Sequence, residues 1–106
     1  MRSAFLLVAL LVADVARAQD AGKAVYAAKC SACHGVTGKG DGPAAIALPK
    51  PPGNMASAEF WKPMTDERLK SLVRNGNPGG TMRSFPMSPE QLDALVVYLH
   101  TFEPKP

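Results

Sequence analysis

Residues 29–35 read Lys-Cys-Ser-Ala-Cys-His-Gly, KCSACHG. The chain has only two cysteines and two histidines, and this stretch holds both cysteines and one of the histidines, His34. Crowding of that kind implies one object gripped at three points, so the reading of Cys30, Cys33 and His34 decides what the rest of the chain must do.

The surrounding sequence sets the bounds. At 106 residues the chain is one small domain at most. Residues 1–18, MRSAFLLVALLVADVARA, have the layout of a cleaved signal peptide. Arg2 gives a positive start, residues 4–13 form an apolar run, and Ala16-Arg17-Ala18 is a small-x-small cleavage site. That run is far short of the ~20 residues that span a bilayer, and no cysteine stands at the cleavage point to carry a lipid. The domain is therefore expected at residues 19–106, exported to the periplasm without a stable membrane anchor.

Formal net charge is +3, and removing Arg2, Arg17 and Asp14 with the leader leaves +2. So mild a charge, with no basic stripe, argues against nucleic acid and offers weak steering toward acidic surfaces. Removing 18 of 106 residues leaves 88, a marginal core for an unstapled domain. A bridge between Cys30 and Cys33 would close too short a loop to help.

Periodicity predicts an all-α chain of three main helices. The first covers residues 20–33, with Asp20 as N-cap and Gly22, Val25, Tyr26, Cys30 and Cys33 on one face. The second covers residues 66–75, capped by Thr65 and stopped by Gly76. The third covers residues 89–102, with Ser88, Pro89 and Gln91 as cap, first residue and capping-box partner. Between the first two lies a long Gly- and Pro-rich stretch in which only residues 43–48 could make a helical turn. Loops this long need a job, and wrapping a large apolar ligand would be one.

Cys30-Ser31-Ala32-Cys33-His34 is the C-x-x-C-H haem attachment pattern. Cysteines three apart share a helix face and can bond both vinyl edges of a flat macrocycle, while His34 projects toward its iron. A zinc site would want a second Cys/His pair, a thioredoxin-like site a βαβ setting, and a structural disulfide leaves His34 and the loops unexplained. The expected cofactor is thus one haem c with its iron, held by two thioether bonds. Its apolar face would complete the small core.

The opposite axial position falls to a methionine. Met64 and Met87 each precede an N-cap and are placed to staple onto Leu69 and Leu92. Met55 reads as core filler. Met82, in the loop NPGGTMRSFP, has no such duty and is the expected sixth ligand, with core filling as its alternative. His100, off the apolar stripe at the end of the last helix, reads as a solvated histidine favoured there by the helix dipole.

CSACHGVTGKGDGPAA, PKPPGN, EFW, NGNPGGTMRSF and SPEQLDALVVYL together resemble the small class I c-type cytochromes of the bacterial single-haem kind. The resemblance implies the cytochrome c-like fold, with loops around one covalently bound haem. It also implies that the first and last helices cross at Gly22, Tyr26 and Tyr98, and that the Pro43 carbonyl accepts a hydrogen bond from His34. Trp61 would either line the haem pocket near a propionate or act as an ordinary packing aromatic. Two positions depart from the pattern: Arg83 stands where a proline often follows the ligand, and Met55 where an aromatic often stands.

The function expected is a soluble periplasmic electron carrier, not an enzyme, whose iron cycles between Fe(III) and Fe(II). It would meet redox donors and acceptors through a transient interface, with Lys23, Lys29, Lys39 and Arg83 as candidate steering charges and a monomer as the default state. The alternatives are an electron-transfer subunit of a periplasmic dehydrogenase complex, a haem sensor or enzyme if Met82 is labile, and a zinc or disulfide module without redox chemistry.

Overall fold

The computed structural model describes residues 2–105, with side chains described from residue 8 onward. Five α-helices follow in order: α1 Arg2–Lys29, α2 Ser31–His34, α3 Ala58–Trp61, α4 Asp66–Asn75 and α5 Pro89–Leu99. Two 3₁₀ turns, Ala45–Ala47 and His100–Phe102, complete the list. No strand occurs among the described residues.

The expected first helix differs at both ends. Instead of residues 20–33, α1 is a continuous 28-residue helix that begins at Arg2 and ends at Lys29. Asp20 lies inside it rather than at its cap. The reason is local: no glycine or proline stands between residues 2 and 21, and Ala, Leu and Arg are strong helix formers. Val8, Leu10, Leu11, Val12 and Val15 on this extension are all exposed. A radius of gyration of 15.4 Å, against about 13 Å for a compact chain this long, reflects that projection. The side chain of Arg2, the expected charged start of the leader, lies outside the described residues. No described helix is long and apolar enough to cross a membrane.

The inner half of α1 packs chiefly on α5. Gly22 makes the crossing possible: a Cβ there would stand 2.0 Å from the Ala94 carbonyl oxygen and 2.7 Å from Tyr98 Cβ. Tyr26 and Tyr98 meet one turn along, with ring centroids 5.4 Å apart, and Phe102 joins both rings. The Gly22–Tyr26–Tyr98 crossing expected from the resemblance is the one observed.

The core gathers Val25 and Tyr26 of α1, Leu69 and Val73 of α4, and the apolar face of α5, in which Leu95 is fully enclosed. Both later helices start as their sequences dictate. The Arg68 N–H donates to Thr65 Oγ1 at 3.1 Å. The Gln91 N–H donates to Ser88 Oγ at 3.1 Å while the Ser88 N–H donates to Gln91 Oε1 at 3.2 Å, a complete capping box. Met64 and Met87 are half-buried against the cluster that holds Leu69 and Leu92. Helix α3 was not expected. Its start is marked by Ser57, whose hydroxyl accepts from the Glu59 N–H.

Candidate functional site

The motif does not finish the first helix. The chain turns at Cys30, and residues 31–34 form the separate short helix α2, so Cys30 caps it and Cys33 and His34 close it. A four-residue helix leaves its last carbonyls without helical partners. The following loop satisfies them in register. The N–H groups of Ala44, Gly42 and Gly40 donate to the carbonyls of Ala32, Cys33 and His34 at 2.8, 3.1 and 2.8 Å. The loop must approach α2 closely to do so, and a Cβ on Gly42 would lie 2.3 Å from the Ala32 oxygen. Gly35 takes φ 84, ψ 163, a region essentially reserved for glycine. The GVTGKGDGP sequence is thus the physical lock of the motif.

A second lock comes from α1. The Tyr26 hydroxyl donates to the Gly35 carbonyl at 2.5 Å. Burial, and then the neighbouring Cys30, push its pKa well above the usual phenol value, so it remains a neutral donor.

Cys30 and Cys33 are both free and half-buried. Burial pushes the Cys30 thiol up to about 11, against a smaller downward pull from Lys29. A redox-exchange cysteine needs the opposite, a depressed pKa, so the thioredoxin-like reading loses its chemistry here. His34 is held neutral: desolvation lowers its pKa, with the Gly53 backbone pulling weakly the other way. A neutral imidazole is the form that binds a metal. Its Nδ1 is buried without a hydrogen-bond partner of good geometry. The bond to the Pro43 carbonyl implied by the resemblance is not formed, and the backbone group that acts on the ring is that of Gly53.

Met82 is half-buried and packs against the same core cluster as Cys30, Trp61 and Phe85. Its loop is fastened on both sides: the Asn77 N–H donates to the Met82 carbonyl at 3.0 Å, and the Phe85 N–H donates to the Val73 carbonyl at 2.8 Å. Arg83, in place of the usual proline, lays its guanidinium 4.9 Å from the Phe85 ring centroid.

Trp61 has its indole N–H engaged by the Met55 carbonyl at 2.7 Å, which favours its role as a packing aromatic over one that serves a propionate. His100 is not a free solvated histidine. Both of its nitrogens face carboxylates, Asp66 at 2.6 Å and Glu103 at 2.9 Å, so neither is available to iron. Glu103 at i+3 was visible in the sequence, but Asp66, 34 residues away, carried no local signal.

Two half-buried thiols one helical turn apart, a neutral imidazole beside them and a half-buried thioether on a fastened loop make a donor set that fits a covalently attached haem. No group of three or more His, Cys, Asp or Glu suited to a bare metal ion occurs among the described residues. Residues 17–99 match the family described as cytochrome C oxidase, cbb3-type, subunit III. The chain belongs to that family. A solved structure described as KustC0563 c-type cytochrome is 30% identical, with a TM-score of 0.65 over 77% of this chain and 96% of that one. No curated protein matches the chain. A c-type cytochrome relationship and an all-α fold among the described residues are thereby supported together.

Proposed function

We propose that the chain is an exported electron carrier bearing one haem c, bonded through Cys30 and Cys33, with His34 and Met82 as the two axial ligands. The observation that carries this reading is the closure of α2, where three successive carbonyls, including those of Cys33 and His34, are bonded by the loop that follows. Such closure fixes the attachment residues before any partner arrives. When bound, the haem supplies the one-electron Fe(III)/Fe(II) couple, and the chain supplies everything else.

Each residue then has a defined task. Cys30 and Cys33 anchor the ring, and neutral His34 offers a nitrogen lone pair. Met82 would offer the iron a soft thioether, a ligand type that raises the potential of the couple. Exposed Val36 and Ile46, on either side of the closing loop, offer apolar contact to a redox partner through a small transient interface. Residues 1–18 serve as the export signal, which directs the mature protein to the periplasm.

The family description favours a second reading, in which the chain delivers electrons as a subunit of an oxidase complex rather than as a free carrier. Expression with haem-attachment machinery and intact-mass measurement test the proposal. The expected mass is residues 19–106 plus one haem, lost in Cys30→Ala/Cys33→Ala; a colourless chain at its peptide mass contradicts it. Purification from native membranes in a stoichiometric assembly selects the subunit reading, and recovery as a lone soluble protein selects the carrier.

A further inference from the structure

His100, at the end of α5 and outside the site, is held from three sides. Nε2 lies 2.6 Å from Asp66 Oδ1 on the first residue of α4. Nδ1 lies 2.9 Å from Glu103 Oε2, just beyond the last 3₁₀ turn. The ring stacks on Trp61, the last residue of α3, with centroids 4.9 Å apart and planes at 30°.

Carboxylates only accept hydrogen bonds, and a neutral imidazole has one N–H to give. It can satisfy one of these two partners while turning a lone pair on the other. Only the imidazolium donates to both, and only the imidazolium adds a cation–π attraction to the indole face. Burial alone would lower the His100 pKa, but the bonds to Glu103 and Asp66 outweigh it and the net shift is upward. These two carboxylates are the charges acting on the ring. Asp66 also acts on Lys70 one turn along α4, which is paired with Asp93 at 2.9 Å and Glu67 at 3.7 Å. Without its second proton His100 can donate to only one of Asp66 and Glu103, and the tie between α5 and α4 rests on the Asp66 bond.

We propose that His100 is a proton-operated clasp: protonated, it ties the start of α4 to the end of α5 and seats Trp61, and deprotonated, it releases Asp66 and loosens that seat. The effect reaches the motif loop, because Trp61 bonds the Met55 carbonyl and the Met55 N–H donates to the Gly38 carbonyl at 2.7 Å. The clasp stands on these contacts alone and does not depend on the cofactor proposed above.

Trp61 is the chain's single tryptophan, so its indole N–H gives one unambiguous NMR signal. The test follows that signal and the His100 ring from pH 5 to 9 in the purified, reduced protein. Both are expected to titrate with one midpoint above the ordinary histidine value of ~6.5. Asp66→Asn and Glu103→Gln are each expected to weaken proton binding about two- to fivefold, and His100→Gln to flatten the Trp61 curve. A His100 midpoint near ~6.5 that neither carboxylate substitution moves overturns the clasp, as does a Trp61 signal indifferent to the His100 titration.

Discussion

Gly76 lies directly beneath the carbonyl of Met82: a Cβ at position 76 would stand 2.8 Å from that oxygen and 3.0 Å from the Arg83 carbonyl carbon. Its dihedrals, φ 77 and ψ −178, belong to a region essentially closed to other residues. The end of α4 and the seat of the proposed sixth ligand are therefore one feature. Gly76→Ala is expected to destabilise the fold by about 1–3 kcal/mol and to weaken the Met82 ligand band. Chemical denaturation together with far-red absorption checks both; an unchanged band would separate the loop's backbone from ligand placement.

The helix crossing makes a different demand. Gly22→Val would drive a branched side chain into the Ala94 carbonyl and Tyr98, forcing α1 off α5. A loss of about 3 kcal/mol or more is expected, at the upper end of overpacking effects, and the yield of folded protein should fall with it. Denaturant midpoints of the wild type and the variant measure this directly.

Tyr26→Phe keeps the aromatic cluster and removes only the hydroxyl bond to Gly35. The expected cost is about 1 kcal/mol, with the unpaired Gly35 carbonyl as its source. A larger loss, measured by the same unfolding experiment, would mean that the hydroxyl also fixes the motif turn.

Arg83→Ala removes the guanidinium from the face of Phe85. The stack holds the residue next to Met82 against a ring whose own backbone is fastened to Val73. Imidazole binding to the ferric protein, which competes with Met82, should strengthen about two- to fivefold, the effect of losing an exposed cation–π contact. Arg83→Lys should fall between the two.

The pH dependence of stability follows from His100. Its folded pKa is raised, so its contribution is complete below the unfolded value of ~6.5 and disappears as pH rises through the folded value. The gap in Tm between wild type and His100→Gln should be widest in mild acid and close in mild alkali.

What could be read in the sequence was what local chemistry decides. Thr65, Ser88, Pro89, Gln91 and Gly76 mark α4 and α5 because caps act within a few residues. C-x-x-C-H at residues 30–34 announces its chemistry by spacing alone. The start of α1 was not legible because Asp20, a good cap and a poor interior residue, is carried inside the helix by the helix formers that precede it. The ladder from residues 40–44 to α2 and the pairing of His100 with Asp66 depend on how distant segments meet, which no periodicity records. Met82 stands between these cases: its loop was legible, and the fastening of that loop to Asn77 and Val73 was not.

The ferric absorption spectrum probes the proposed pairing of His34 and Met82 on one covalently held haem without any partner protein. Low-spin c-type bands with the weak far-red transition of a methionine–iron bond are expected, with that transition lost in Met82→Ala while the haem stays attached. A high-spin spectrum, or a far-red band that survives Met82→Ala, would contradict it.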